Sequence, residues 1–260
     1  MRFAISRGLT ANKCCARRWL SGLKLLLAAL PLLGMSVWAQ QPAPVASDDK
    51  PHFELMPYLV LGGMGGDITV QGYSTSFSQS PKDVLSNLQF GFMGRMRVEY
   101  KKWFVGLDGT YMGLGAANNA LDAGVDQVIV EPSAGYKVAP FLEVLGGARY
   151  NSLEADLKFR GPLATRVYGK QDWWDPFVGG RAILPLGHKL SLSTRLDLGG
   201  FGAGAKIAVN AEPLINMKIG RHATLNAGWK FYYVDYKNNG ANFRYAALSQ
   251  GPMIGANFRF

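Results

Sequence analysis

Hydrophobic and polar residues alternate along much of this chain with a period of two. Leu190, Leu192, Leu196 and Leu198 fall on one face of a short segment, and Ser191, Ser193, Arg195 and Asp197 fall on the other. Successive side chains of a strand point to opposite sides, so this segment reads as a strand with one apolar and one charged face. It joins Asp172–Pro185 through a turn at Leu186–Lys189 to make a hairpin. The pattern recurs. Phe90, Phe92, Met96 and Val98 oppose Arg95, Arg97 and Glu99, while Trp103, Val105, Leu107 and Tyr111 oppose Asp108 and Thr110. Ile207, Val209, Ile215 and Ile219 oppose Lys206, Asn210, Glu212, Asn216 and Lys218. Leu225, Trp229, Phe231 and Tyr233 oppose Asn226 and Lys230, and Ile254, Ala256, Phe258 and Phe260 oppose Asn257 and Arg259.

Ten strands are predicted, near residues 53–62, 89–100, 102–113, 125–138, 140–155, 172–186, 189–199, 206–219, 223–236 and 251–260. Four junctions are short, at Tyr100–Trp103, Lys137–Pro140, Gly187–His188 and Gly220–His222. Longer polar segments lie between them, at 62–88, 114–125, 156–171, 199–205 and 237–250. Strict alternation of short and long connections is the asymmetry of an outer-membrane barrel. The longest segment holds one helix signal over Ser80–Asn87, a capping serine followed by Pro81 at the first helical position. Pro57, Pro132, Pro176 and Pro213 fall inside predicted strands, where each removes a ladder donor. They are expected at bulges or on strand ends beyond a bilayer.

The N-terminus decides between a soluble sandwich and a barrel. Arg2, Arg7, Lys13, Arg17, Arg18 and Lys24 precede an apolar run, Leu25–Ala39, which is broken by Pro31 and ends in the small residues Val37 and Ala39. This is the pattern of a secretory signal peptide, here cleaved near Ala39, and the run is short for a spanning helix of about 20 residues. Residues 40–52 form a polar, Pro-containing periplasmic lead-in, and 53–260 form the barrel domain. The formal charge of +10 shrinks accordingly. Six of the 28 basic residues belong to the leader, leaving 22 against 18 acidic groups, so nothing points to nucleic acid. Cys14 and Cys15 leave as well, removing disulfides and thiolate chemistry. Aromatic residues cluster at both predicted strand ends. Tyr100, Trp103, Tyr136, Phe258 and Phe260 mark one, and Tyr111, Tyr150, Trp173, Trp174, Tyr233 and Tyr236 mark the other. Two such belts suit the two interfaces of a bilayer.

The segments PYLVLGGMGGDITVQG, DVLSNLQFGFMGRMRVEYKKWFVGLDGTYMGL, WWDPFVGGR, LDLGGFGAG and WKFYYVDY, with the closing GPMIGANFRF, together resemble bacterial outer-membrane β-barrel proteins of the OmpA/OmpW-like and porin-like kind. The resemblance implies an all-β, closed antiparallel transmembrane barrel in the cell outer membrane, in contact with its lipids and lipopolysaccharide. Many small relatives have eight strands; the turns here favour ten. It further implies that Phe258 and Phe260 present a C-terminal signal to the barrel-insertion machinery.

Candidate chemistry is sparse. Most enzymes among such barrels place a histidine with a carboxylate or serine near the outer rim, because water or serine needs a base of near-neutral pKa. His52, His188 and His222 all map to the opposite end, so the chain reads as non-enzymatic. The glycine clusters at 62–66 and 199–204 lack the Gly-Lys-Ser/Thr of a phosphate loop, and neither metal-ligand spacing nor a cofactor motif is present. The charged face remains. Arg95, Arg97, Glu99, Asp108, Asp175, Arg181, Arg195, Asp197, Glu212, Lys218, Lys230 and Arg259 share the inward parity, as do Glu54, Glu131, Glu143 and Arg149. A charge facing lipid at mid-depth costs roughly 2–4 kcal/mol, so these residues are expected in the lumen. There they either seal a structural barrel with salt bridges or line a narrow porin-like pore for small ions or solutes. Asp175, Arg181, Arg195 and Asp197 are expected to meet as crossed pairs. The alternative is a surface binding module acting through basic outer loops at 160–171 and 237–250 on polysaccharide, host or phage.

Overall fold

The computed structural model describes residues 50–260 except 71–72, 118–120 and 160–165. The signal peptide and most of the lead-in lie outside the described residues. Twelve strands and one helix follow in order: β1 (His52–Val60), β2 (Gly63–Val70), β3 (Tyr73–Gln79), α1 (Pro81–Asn87), β4 (Leu88–Tyr100), β5 (Trp103–Ala117), β6 (Leu121–Ala139), β7 (Leu142–Phe159), β8 (Arg166–Pro185), β9 (Leu190–Gly199), β10 (Ala205–Lys218), β11 (Ala223–Asn238) and β12 (Phe243–Arg259). β1 and β4 to β12 close into a ten-stranded antiparallel barrel, sealed where β1 pairs with both β4 and β12. From β4 to β12 each strand bonds the next in sequence and β1 bonds β4, so the barrel is a meander interrupted only by the 63–87 segment.

Closure is tied at the termini. Leu55 and Tyr58 stand opposite Phe258 and Gly255, and the Phe260 N–H donates to the Phe53 carbonyl at 2.9 Å. The end of the barrel that carries both termini also carries the short turns, between β4 and β5, β6 and β7, β8 and β9, and β10 and β11. The other end differs from expectation. Segments 62–88, 114–125, 156–171 and 237–250 were expected as loops, but much of their length is strand. β6, β7 and β8 run for 19, 18 and 20 residues, about twice the 9–11 that cross a bilayer when tilted. Connection 199–205 is a tight turn, with Gly200 at φ 87° and Gly202 at φ 80°, where a side chain would be strained.

The largest departure lies in 63–79. β2 and β3 form an extra hairpin that continues the sheet outward, because β12 pairs with β1 through Met253–Arg259 and with β2 through Arg244–Gln250. α1 follows. Ser80 caps it through the expected serine, and the box is reciprocal: the Ser80 hydroxyl accepts from the Asp83 N–H, and the Asp83 carboxylate accepts from the Ser80 N–H at 2.9 Å. Its buried residue, Val84, turns toward the barrel interior.

The prolines do not sit at bulges, one of the two placements expected for them. Bulges fall at 88–90, 137–139 and 205–207, none of them at proline. Pro213 stays opposite Thr194 on one side; on the other, Ala211 and Leu214 keep register with Phe231 and Gly228 while the pairs between them lapse. Pro132 behaves likewise, opposite Leu107 on one side only. Each ring points outward by alternation, because Glu131 and Glu212 beside them are buried. The neighbouring backbone closes in on each proline carbonyl. A Cβ on Gly147 would lie 2.2 Å from the Pro132 oxygen, and one on Gly228 would lie 2.0 Å from that of Pro213. Only glycine permits this approach.

Outside the barrel the apolar parity is exposed, with Trp103 at 64%, Val178 at 58% and Leu196 at 52%. Inside, two zones stack along the axis. Toward the hairpin end the lumen is filled by Trp173, Tyr232, Val234, Tyr236, Phe243 and Tyr245, with the Trp173 and Tyr236 rings stacked 4.1 Å apart. These two aromatics, expected in the outer belt, point inward instead. Long strands carry their alternation beyond the bilayer, where an inward ring packs on its neighbours. Nearer the termini the lumen is charged.

Candidate functional site

The charged zone is built by inward positions of eight strands. Its central group has two halves. In one, Arg95 on β4 donates to Asp108 on β5 at 2.7 Å and to Glu212 on β10 at 2.9 Å, and Lys230 on β11 donates to Glu212 at 2.6 Å. Tyr58 on β1 donates its hydroxyl to Asp108 at 2.6 Å. In the other half, Arg149 on β7 donates to Glu131 on β6 at 2.6 Å and to Asp197 on β9 at 2.8 Å. Arg195 donates to Glu131 and contacts Asp197 at 2.9 Å. Four cations meet four carboxylates.

A second group lies toward the termini. Arg97 grips Glu143 with two nitrogens, at 3.0 and 2.8 Å, and contacts Glu99 at 2.5 Å. Arg181 donates to Glu143 at 2.9 Å, and Lys137 donates to Glu99 at 2.6 Å. Aromatic rings support both groups. The Arg97 guanidinium lies 3.6 Å from the Phe104 ring centroid, and that of Arg149 is 5.0 Å from each of Phe177 and Tyr232. Such cation–π contacts strengthen when desolvated. Burial is extreme for ions: Arg149 is 2% exposed, Glu212 and Asp197 are 1%, and Asp175 is 0%.

Of the sixteen charges expected in the lumen, twelve join this network: Arg95, Arg97, Glu99, Asp108, Glu131, Glu143, Arg149, Arg181, Arg195, Asp197, Glu212 and Lys230. Asp175 is inside but meets no cation among the described residues. It accepts from the Ala205 N–H, the Trp173 indole and the Asn151 amide, at 2.5, 2.9 and 3.1 Å. The expected meeting of Asp175, Arg181, Arg195 and Asp197 is therefore replaced by three separate sets of contacts. Lys218 and Arg259 are exposed at the terminal end. They keep inward parity but lie too near the strand ends to reach the network. Lys137, Tyr58 and the amide of Asn151 were not anticipated, while Asn210, read on the charged face, donates to Asp197 at 2.9 Å. Lys137 keeps the inward parity of Glu131 and pairs in register with Glu143; the short turn expected at 137–140 left it out of the strand.

Two cavities flank the central group. One, of about 100 Å³, lies under α1 between Val84, Met64, Met93 and Met112 above and Asp108, Lys230 and Arg149 below. The other, of about 40 Å³, lies between the two charged groups. Among the described residues no group of His, Cys, Asp and Glu is arranged to hold a metal.

No family model matches the chain, and no curated protein matches it. Solved structures do. The outer membrane protease OmpT from Escherichia coli is similar with a TM-score of 0.52 and 9% identity, covering 82% of this chain and 98% of OmpT. Ail, the attachment invasion locus protein of Yersinia pestis, solved with the heparin analogue sucrose octasulfate, gives 0.40 and 10%, over 81% of this chain and 98% of Ail. Neisserial surface protein A gives 0.31 and 12%, over 80% and 97%. These structural neighbours are bacterial outer-membrane β-barrels, and the chain has that fold. Within the class it is a ten-stranded barrel carrying an additional hairpin and a helix at one end.

Proposed function

We propose that this chain is a non-enzymatic structural barrel of the outer membrane whose lumen is sealed by its own ion pairs. The observation that carries this reading is the burial of Arg149, Asp197 and Glu212 to 2% exposure or less, each bonded to partners on other strands. An ion removed from water must find its counter-charge in the protein, and here each cation finds at least one carboxylate. A conducting pore needs hydrated space that these side chains fill. Barrels of about eight strands are closed by side chains alone, and ten add little room.

The signal peptide, cleaved near Ala39, and the lead-in at 40–52 complete the reading: export, then insertion of 53–260 with the short turns in the periplasm and the long hairpins outside. Exposed Phe258 and Phe260, on a last strand that closes the barrel, suit recognition by the insertion machinery. The three histidines lie at the terminal end, away from the cavity under α1, which favours the non-enzymatic reading. Recording from purified protein in planar bilayers tests the seal. Silence is expected, from a protein whose gel mobility shifts on heating. Discrete conductance steps from the unmodified chain would overturn it.

A further inference from the structure

The 40 Å³ cavity between the two charged groups is lined by Arg95, Arg97, Arg181 and Arg195, against only Asp108 and Glu143 as carboxylates. Its size suits one water-sized occupant. Two facts single it out. Arg97 and Arg195 are each 8% exposed, and the Nε–H of each is buried without an acceptor among the described residues. The group on its terminal side is also out of balance. Among the described residues Arg97 and Arg181 share Glu143, while Arg97 and Lys137 share Glu99, so three cations face two carboxylates, with the Arg181 and Lys137 side chains 26% and 33% exposed. The central group, with four of each sign, has nothing left over to correct this.

A buried donor without a partner is destabilising, and an unbalanced buried charge is more so. A water molecule would meet the first deficit and not the second. An acceptor-only particle with one negative charge meets both. We propose that this cavity is a binding site for a single small monovalent inorganic anion of chloride size, held by Arg97 and Arg195 and balanced by Arg181. The anion completes the seal: with it, the lumen holds equal numbers of paired charges of both signs at this level.

The test uses purified full-length protein folded in detergent. Its unfolding midpoint would be followed in rising chloride, bromide or gluconate at constant ionic strength. Chloride and bromide are expected to stabilise, with the folded-to-unfolded ratio rising about tenfold per tenfold anion above the dissociation constant. Gluconate is expected to do nothing. R181Q, at a side chain 26% exposed, should fold and lose the anion dependence. Should R181Q fail to fold, bromide-soaked crystals of the unmodified protein decide: an anomalous peak between Arg97 and Arg195 supports the site. Equal midpoints in chloride and gluconate, or a water at that position, would sink it. Bilayer conductance with anion binding intact would count against the seal alone, so the two ideas fail separately.

Discussion

Replacing Glu212 with glutamine removes one negative charge from the most crowded part of the lumen while keeping nearly the same volume. Glu212 is 1% exposed and receives Arg95 at 2.9 Å and Lys230 at 2.6 Å. A pair of unit charges about 4 Å apart is worth roughly 4 kcal/mol at an effective dielectric of about 20, so two contacts are worth about 8 kcal/mol gross. Part of that returns, because Asp108 remains in contact with Arg95 at 2.5 Å and glutamine still accepts one hydrogen bond. Breaking one member of a buried ion pair costs about 3–5 kcal/mol net, and E212Q is expected in that range. The measurement is reversible urea unfolding of protein folded into lipid vesicles, read by tryptophan fluorescence. A companion variant makes the cause explicit. Replacing Arg95, Asp108, Glu212 and Lys230 together by apolar residues of similar volume should be neutral or stabilising by about 1–4 kcal/mol. A loss below about 1 kcal/mol for E212Q would mean that water already reaches the carboxylate, and the sealed lumen would be refuted with it.

Leu196 faces outward at mid-strand and is 52% exposed, so L196R should cost roughly 2–4 kcal/mol in lipid, while L190R near the strand end should cost about 0–1 kcal/mol; equal costs in the same urea assay would contradict the assigned faces. G228A places a methyl 2.0 Å from the Pro213 carbonyl and should lower the heat-modifiable folded fraction, by about 1–3 kcal/mol of overpacking; an unchanged fraction would mean the strands can separate there. For α1, the Ser80 hydroxyl and N–H hold the Asp83 carboxyl below its ordinary value. Asp83 therefore stabilises the helix fully above the unfolded value near 3.9, and that contribution is lost as pH falls through the lower folded value. Proteolysis or hydrogen exchange of 80–87 should change little from pH 7 to 5 and rise only below about 4, and in D83N the step should vanish; a step in D83N would assign it elsewhere.

Alternation made the barrel wall legible. Leu196, Val105 and Ile215 read outward and Arg95, Asp108 and Glu212 inward because the bilayer makes a misplaced charge expensive in every strand. Beyond the bilayer that pressure disappears. Gly63–Gln79, rich in glycine and serine, reads as loop, yet pairs as a hairpin because β12 continues past β1 and offers a free edge. Height along the axis was the other blind spot. Parity says that Asp175 and Arg181 both face in, but six strand residues separate them by about 20 Å before tilt. Tilt and stagger then choose partners: Arg181 reaches Glu143, while Asp175 meets Trp173 and Asn151. No pattern along one strand carries that information, since it depends on how neighbouring strands are offset.

An apolar lumen would close such a barrel as tightly, and the physical cost of ion pairs makes their presence here informative. Replacing them with hydrocarbon would leave strands apolar on both faces, and a one-residue slip would then carry little penalty. With the charges in place, the same slip turns Arg95, Arg97 and Glu99 of β4, or Glu212 of β10, toward lipid. The penalty falls on whole strands rather than on single residues, at roughly 2–4 kcal/mol per basic group at mid-depth. Contacts between distant strands extend the constraint. Arg95 to Glu212 and Arg149 to Asp197 form only when β4 and β10, and β7 and β9, reach the correct relative height. Balanced charges inside the wall thus select one register while the barrel closes. The exposed leucine face of β9 sits in lipid because Arg195 and Asp197 on its other side have partners only in the lumen.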